Sequence, residues 1–335
     1  MTPPLATVVR EGRATQHSQD TVLMELASTG RIAFHNLDRI GKMKREDEPD
    51  PLLDPAIQVL DEAPSGRRLA APERATWDLL RQLAPTTGIL SREPLWRLNS
   101  ELGPVRDKLE NEVVRLGWFT RKPSTLITRW SVIGVAEMAI GVLLVGLGFL
   151  IPMSGLTLLG AGTGVGGLVT FGIGQFMSQR TKNGAYVDAM LKAYRRTLEK
   201  TMEQARSMEQ VVADPTVQQL ADTPDAAVVW AFALGLHDKV AEVLRRDLED
   251  HPAGPASAGP IYYPLWLGSS PASFGEGMAG GVAGGSIFSG SGAPDIGGMF
   301  GALGSIGSSP PSSSSGGGGF GGGGGGGGGG GSGSF

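Results

Sequence analysis

Residues 130–151 read WSVIGVAEMAIGVLLVGLGFLI, residues 152–155 read PMSG, and residues 156–177 read LTLLGAGTGVGGLVTFGIGQFM. Each long run has about the length that an α-helix needs to cross a hydrocarbon core. The first carries one charge, Glu137, and the second carries none. Pro152, Ser154 and Gly155 lie in a link too short for anything but an antiparallel neighbour. The stretch predicts a two-helix transmembrane hairpin over 130–177, on which two arms and a tail hang.

The glycines carry a pattern. Gly134, Gly141 and Gly148 recur at every seventh residue of the first run, and Gly160, Gly167 and Gly174 do so in the second. A seven-residue repeat keeps one helical face in line. Lipid gives little hydrophobic drive between helices, so small residues that admit close backbone approach are a common packing device. Folding back at Ser154 would set Gly134 opposite Gly174, Gly141 opposite Gly167 and Gly148 opposite Gly160. The surplus glycines of the second run, with Gly160/Gly164 and Gly162/Gly166 at small-xxx-small spacing, leave room for a second copy of the chain.

Glu137 lies on or beside this seam. A carboxyl at such depth costs several kcal/mol (~3 on insertion scales) and is usually buried in protein. The fold-back register places it opposite Phe171, with Thr170, Gly174 and Gln175 near. The structural reading, a carboxyl hydrogen-bonded to Thr170 or Gln175, is preferred over a proton or ion ligand, because one acid without a basic partner makes a poor transport path.

The flanks orient the hairpin. Arg106, Lys108, Arg115, Arg121, Lys122 and Arg129 precede it, Arg180, Lys182, Lys192, Arg195 and Arg196 follow it, and the link has no Lys or Arg. The positive-inside rule then puts both arms, and so both termini, in the cytoplasm. The expected location is a bacterial inner (plasma) membrane, multi-pass.

Composition narrows the function. The 335-residue chain has a net charge of −4 and no cysteine, which argues against a basic nucleic-acid binder and against disulfides or thiolate metal sites. The N-terminal MTPPLATVVREGRATQ lacks the apolar core of a signal peptide.

The first arm, 1–123, contains two small units. In residues 18–62, Ser18 or Asp20 caps TVLMELAST, Gly30 stops it, RIAFHNL is a strand, GKMKREDEPDP a loop and AIQVL a return strand. His35 is expected at a solvated or edge position. In residues 71–119, helices are expected in ERATWDLLRQLA, LWRLNSEL and VRDKLENEVVRLGWF, with an extended TGIL between the first two. The whole reads as winged-helix-like. Its last helix mixes Arg106, Lys108 and Arg115 with Asp107, Glu110 and Glu112, so a nucleic-acid partner is not expected.

The second arm, 178–250, is helical. Tyr186, Met190, Tyr194, Leu198 and Met202 form a stripe expected to be core. Thr223 and Pro224 open a further helix whose apolar stretch, residues 226–236, is too short to span a membrane. His237 beside Asp238 reads as surface. Residues 251–335 are a disordered Gly/Ser/Pro-rich tail with one aromatic island, IYYPLWLG, whose Tyr262, Tyr263 and Trp266 suit either the membrane interface or docking on the arms.

In sum the fold class is an α-rich integral membrane protein: winged-helix-like cytoplasmic arm, two-helix hairpin, helical cytoplasmic arm and disordered tail. No nucleophile–base pair, metal cluster or phosphate loop stands out, so neither enzymatic activity nor a cofactor is expected. The expected partners are the lipid bilayer and a protein bound through the arms. The expected function is a scaffold or regulator, with a membrane-tethered DNA-binding regulator as the alternative and a transport component using Glu137 as a third.

TVLMELASTGRIAF, ERATWDLLRQL, LGWF, the hairpin, GAYVDAMLKAYRRTLE, PDAAVVWAFALGL, IYYPLW and the glycine tail follow one another in a fixed order. In that succession the chain resembles the C-terminal half of the YciQ-like bacterial predicted membrane proteins, domain of unknown function 2207. The resemblance implies an upstream signal sequence, an extracytoplasmic β-rich domain and another span in full-length members. It thereby implies a shortened or split form here. It carries over no activity and no site residues.

Overall fold

The computed structural model describes residues 1–39, 48–50, 54–60, 68–84, 87–151, 154–176, 180–250, 262, 264, 266 and 301–306. The first arm begins with a helix that its sequence does not advertise, α1 (Pro3–Glu11). Proline is tolerated in a first helical turn because its missing N–H has no partner there anyway. Gly12, at φ 76°, ends the helix and returns its N–H to the Val8 carbonyl at 2.9 Å. Leu5, Val8 and Val9 are buried. Helix α2 (Gln16–Ser28) starts ahead of both expected caps. Ser18 sits inside its first turn, where its Oγ accepts the Thr15 N–H at 3.1 Å, and Asp20 is buried.

A three-stranded antiparallel sheet follows, in the order β1 (Ile32–His35), β2 (Ala56–Val59), β3 (Ile89–Ser91), with Phe34 opposite Ile57 and Ile57 opposite Leu90. A 3-10 turn, Leu37–Arg39, follows β1. Most of the charged loop lies outside the described residues. Three helices complete the arm: α3 (Ala71–Leu83), α4 (Glu93–Glu101) and α5 (Gly103–Arg115). Because β3 pairs with β2, and α3 packs on α2 and α5, the two expected units are one. Strand β1 is buried at all four positions, not at alternate ones. His35 is therefore 1% exposed, with its Nε2 3.0 Å from Gln58 Oε1, although it stands on an edge strand.

The long helices α6 (Pro123–Leu150) and α7 (Ser154–Phe176) form the hairpin. Their most apolar windows have mean hydropathy 2.2 and 1.6 and are only 17% and 11% buried. Val142, Phe149, Leu150 and Leu158 are 71–80% exposed. Both helices are long and apolar enough to cross a membrane, and neither packs extensively on any other described helix. Outward apolar surface on this scale is unfavourable in water and natural in lipid.

The second arm comprises α8 (Lys182–Gln204), the short α9 (Met208–Ala213) and α10 (Pro215–Gln218), α11 (Pro224–Ala233) and α12 (His237–Asp250). The stretch expected as one helix after Thr223 is split. Gly235, at φ 72°, closes α11, with the Leu236 N–H reaching Ala231 O at 2.8 Å. Helix α11 is buried from Ala226 to Ala233, as a helix apolar on every side must be, and packs on α1, α2 and α9. One hydrophobic core thus runs from Leu5 and Leu26 through Leu109 to Leu198, Val229 and Val243. It also takes in Leu303 and Ile306, which are 0% and 3% exposed, so the tail is not structureless throughout. The rest of 251–335, apart from residues 262, 264 and 266, lies outside the described residues.

Candidate functional site

The hairpin seam is built by all six patterned glycines, in a register different from the expected one. A Cβ on Gly134 would lie 2.7 Å from the Phe171 amide nitrogen; on Gly141, 2.5 Å from the Gly164 nitrogen; on Gly148, against Thr157 Oγ1. From the other side, Gly160 meets Val145 and Leu144, Gly167 meets Met138 and Gly174 meets Trp130, each at 2.6–2.8 Å. Glycine still meets glycine, but seven residues away from the expected partner on the second helix: a Cβ on Gly134 would lie 2.9 Å from Gly167 O, and one on Gly141 2.8 Å from Gly160 O. The helices are displaced by about one turn from the expected register. At most of these points the nearest atoms are backbone, Phe171 N, Gly164 N, Val145 N and Met138 N, so the missing Cβ atoms let the two helix backbones approach closely. A Cβ on Gly146, Gly155, Gly162, Gly166 or Gly172 would meet nothing within 4 Å.

The displaced register moves Glu137. Its neighbour Met138 covers Gly167, so Glu137 stands near the level of Gly167 rather than Phe171. Glu137 and Thr170 are both half-buried, and no hydrogen bond joins them. The side chain of Gln175 lies outside the described residues. The seam therefore gathers the glycines but does not bring the three polar residues into one site.

The sequence did not reveal what lies at the base of the hairpin. Gly117, at φ 73°, ends α5 and turns the chain so that Phe119 forms a β-bridge with Arg180, just beyond α7. The Thr181 N–H donates to Trp118 O at 3.0 Å and its hydroxyl to Gly117 O at 2.6 Å. The same hydroxyl caps α8 by accepting the Gly184 N–H at 3.0 Å. A Cβ on Gly184 would collide with the Trp118 carbonyl. Arg180 Nη1 donates to Asp188 Oδ2 at 2.9 Å, and Lys192 Nζ lies 2.9 Å from the same oxygen. Arg180 Nη2 donates to Val9 O at 2.6 Å and Arg10 O at 3.0 Å, the last-turn carbonyls of α1, where a cation is favoured. One side chain thus ties the foot of α7 to both arms. The only sequence signal for this junction was the pair of short motifs LGWF and GAYVD flanking the hairpin.

The foot of α6 is held from the other side. The Glu110 carboxylate, 2% exposed, accepts from Ser124 N at 3.1 Å, Ser124 Oγ at 2.5 Å and Ala14 N at 3.3 Å. It joins α5 to the first turn of α6 and to the link between α1 and α2. In that link His17 Nδ1 lies 2.6 Å from Glu11 Oε1, and its Nε2 lies 3.0 Å from Phe232 O. Burial raises the Glu11 pKa, but hydrogen bonds from His17, Thr15 and Arg10 outweigh it and hold the group at about 2. Asp20 behaves oppositely: burial dominates, Arg106 nearby counters it in part, Glu11 adds to it, and the carboxyl is pushed up to about 8.

One further placement differs from expectation, and one follows the second of two alternatives. Tyr186 and Met190, read as core, are 68% and 56% exposed at the start of α8, while Leu198 and Met202 farther along are buried. Of the aromatic island, the Tyr262 hydroxyl and Trp266 Nε1 both donate to Asp225 Oδ1, the latter at 2.7 Å. The island docks on the first turn of α11, and Tyr263 lies outside the described residues.

Neither a curated protein nor a solved structure matches the chain. Residues 1–244, covering the first arm, the hairpin and most of the second arm, match the family described as predicted membrane protein (DUF2207), C-terminal domain. With two exposed apolar helices on a shared core, and that match over most of its length, the chain belongs to the DUF2207 family of predicted membrane proteins.

Proposed function

We propose that the protein is a non-enzymatic membrane scaffold with a regulatory role, anchored by the hairpin and presenting its two arms as one body to a protein partner. The observation that carries this reading is the junction at Arg180. Its bonds to Asp188, Val9 and Arg10 mean that a shift of α7 against α6 pulls on both arms at once. The exposed pair Tyr186 and Met190, one helical turn apart beside the junction, supplies an apolar contact surface for the partner. The basic flanks and the uncharged link support a bacterial cytoplasmic side for the arms.

The winged-helix-like DNA regulator has less support. In α5, Arg115 is held by Glu112 at 2.5 Å, and Arg106 is half-buried against Gln19 and Asn99, recessed from any base edge in a groove. Transport through Glu137 rests on that residue alone.

The test is in-membrane photocrosslinking of the full chain with a photoreactive residue at Tyr186, Met190 or, as a distant control, Leu220. The expected result is one protein adduct shared by the first two positions and absent from the third. Adducts to lipid alone at Tyr186 and Met190 would overturn the partner reading.

A further inference from the structure

Beneath the first turns of α6 lies a cleft of about 490 Å³ lined by Arg13, Thr15, Arg106, Glu110, Ser124 and Thr128 among others. Its depth in the membrane follows from the helix. Trp130 begins the apolar run and belongs at the interface. At about 1.5 Å per residue, Thr128 and Ser124 lie roughly 3–9 Å below it. The polar headgroup layer is roughly 5–8 Å thick on each side of the hydrocarbon, so the cleft opens at headgroup depth.

Its charges are unequally satisfied. The acids have partners: Glu110 accepts three hydrogen bonds from Ser124 and Ala14, and the exposed Asp107 lies 4.0 Å from Lys122 Nζ. Among the described residues the arginines have no anion bonded to them. Among the described residues Arg106 Nη2 meets the neutral amide oxygens of Gln19 and Asn99, at 2.7 and 3.0 Å, and its Nε has no acceptor. Asp20, the nearby acid, keeps its proton at neutral pH because burial pushes it up to about 8. Arg13 is exposed on the rim, and Arg121 and Arg129 stand exposed nearby. A guanidinium held by neutral groups and left short of an acceptor calls for an anion with several oxygens.

We propose that this cleft seats the phosphate headgroup of an anionic membrane lipid. Arg13 and Arg106 bind the phosphate oxygens, Thr128 supplies a hydroxyl, and the acyl chains run up beside Ile127 and the apolar surface of α6. The site fixes the height of the hairpin against the arms, because its walls come from α5, the α1–α2 link and α6.

The full chain in phosphatidylcholine nanodiscs, doped with spin-labelled phosphatidylglycerol or spin-labelled phosphatidylcholine, measures the preference directly. A cation near the surface contributes about 1 kcal/mol, or about fivefold, so a preference of at least about fivefold for phosphatidylglycerol is expected. Arg13→Gln, on an exposed rim, should lower it without changing the thermal midpoint, and Arg13→Gln with Arg106→Gln should abolish it. Arg206→Gln, a distant exposed cation, should leave it intact. An unchanged preference in the double variant overturns the proposal. So does an equal loss in Arg121→Gln with Arg129→Gln, which would mark diffuse surface charge. If millimolar inorganic phosphate raises the midpoint in pure phosphatidylcholine as much as phosphatidylglycerol does, the site takes soluble phosphate and the lipid assignment fails.

Discussion

Gly167 of the second long helix lies against Met138 of the first, so closely that a Cβ on Gly167 would come within 2.7 Å of the Met138 amide nitrogen. The contact sets the level at which the two helices meet. Gly167→Leu must push the backbones apart, and overpacking of this kind costs about 1–3 kcal/mol. Gly162→Leu, which points into open space, should cost little. Thermal unfolding of both variants in detergent measures the difference. Equal losses would contradict the interleaved seam.

The junction gives a sharper pair. Gly184→Ala places a methyl on the Trp118 carbonyl, and Arg180→Met leaves Asp188 without its guanidinium partner and the α1 carbonyls without theirs. Breaking a buried pair costs roughly 3–5 kcal/mol. Arg180 is a quarter exposed and Lys192 still faces Asp188, so the lower end applies. Both variants should insert normally yet lose protection of the arms from limited proteolysis. Wild-type protection in both would mean that the hairpin and arms are not coupled here.

Asp20 and Glu11 impose opposite pH dependences. The folded-state pKa of Asp20 is raised from 3.8 to about 8, so folding keeps a proton that the unfolded chain releases, and stability falls as pH rises between those values. Each unit of that interval is worth at most about 1.4 kcal/mol. Glu11 is depressed from 4.5 to about 2, so its contribution is present above 4.5 and lost as pH falls towards 2. Asp20→Asn should therefore be more stable than wild type at pH 8 and nearly equal at pH 4, by denaturant unfolding in detergent. A difference independent of pH would place Asp20 in water.

Asp225→Ala removes the shared acceptor of Tyr262 and Trp266. Losing hydrogen bonds to a charged group costs about 1.5–3 kcal/mol, enough to release the island from α11. Proteolytic cleavage just after residue 250 should accelerate several-fold in the variant, with α11 itself unaffected. Unchanged cleavage would show that the island is held by other contacts.

Much of the architecture was legible in residues whose pattern has one physical meaning. Two apolar runs separated by a four-residue link can hardly be anything but a hairpin, and the seven-residue glycine repeat named the seam. The same repeat could not name the level, because periodicity fixes a face, whereas glycines seven residues apart can pair at more than one level, and only the close backbone contacts at Phe171 and Met138 show which one is taken. Helix α1 was hidden by Pro3 and Pro4, which look like breakers until their place in a first turn is known. Strand β3 was visible as an extended TGIL, but its partner is long-range and carries no local mark. The junction was missed for the same reason: Arg180 reads as one more basic flank residue, and its bonds to Val9 and Arg10 cross most of the first two hundred residues. Leu303 and Ile306 were obscured by the glycine and serine around them.

A hairpin that crosses a membrane leaves both arms on one side of it, and the absence of cysteine from the chain makes that topology directly testable. Single substitutions Ser154→Cys, at the tip, and Ser207→Cys, in the cap of α9, are probed in intact cells with a membrane-impermeant maleimide and again after permeabilisation. The expected result is labelling of the Ser154→Cys variant from outside, and of the Ser207→Cys variant only once the membrane is opened. Labelling of both positions from outside, or of neither until permeabilisation, would contradict it.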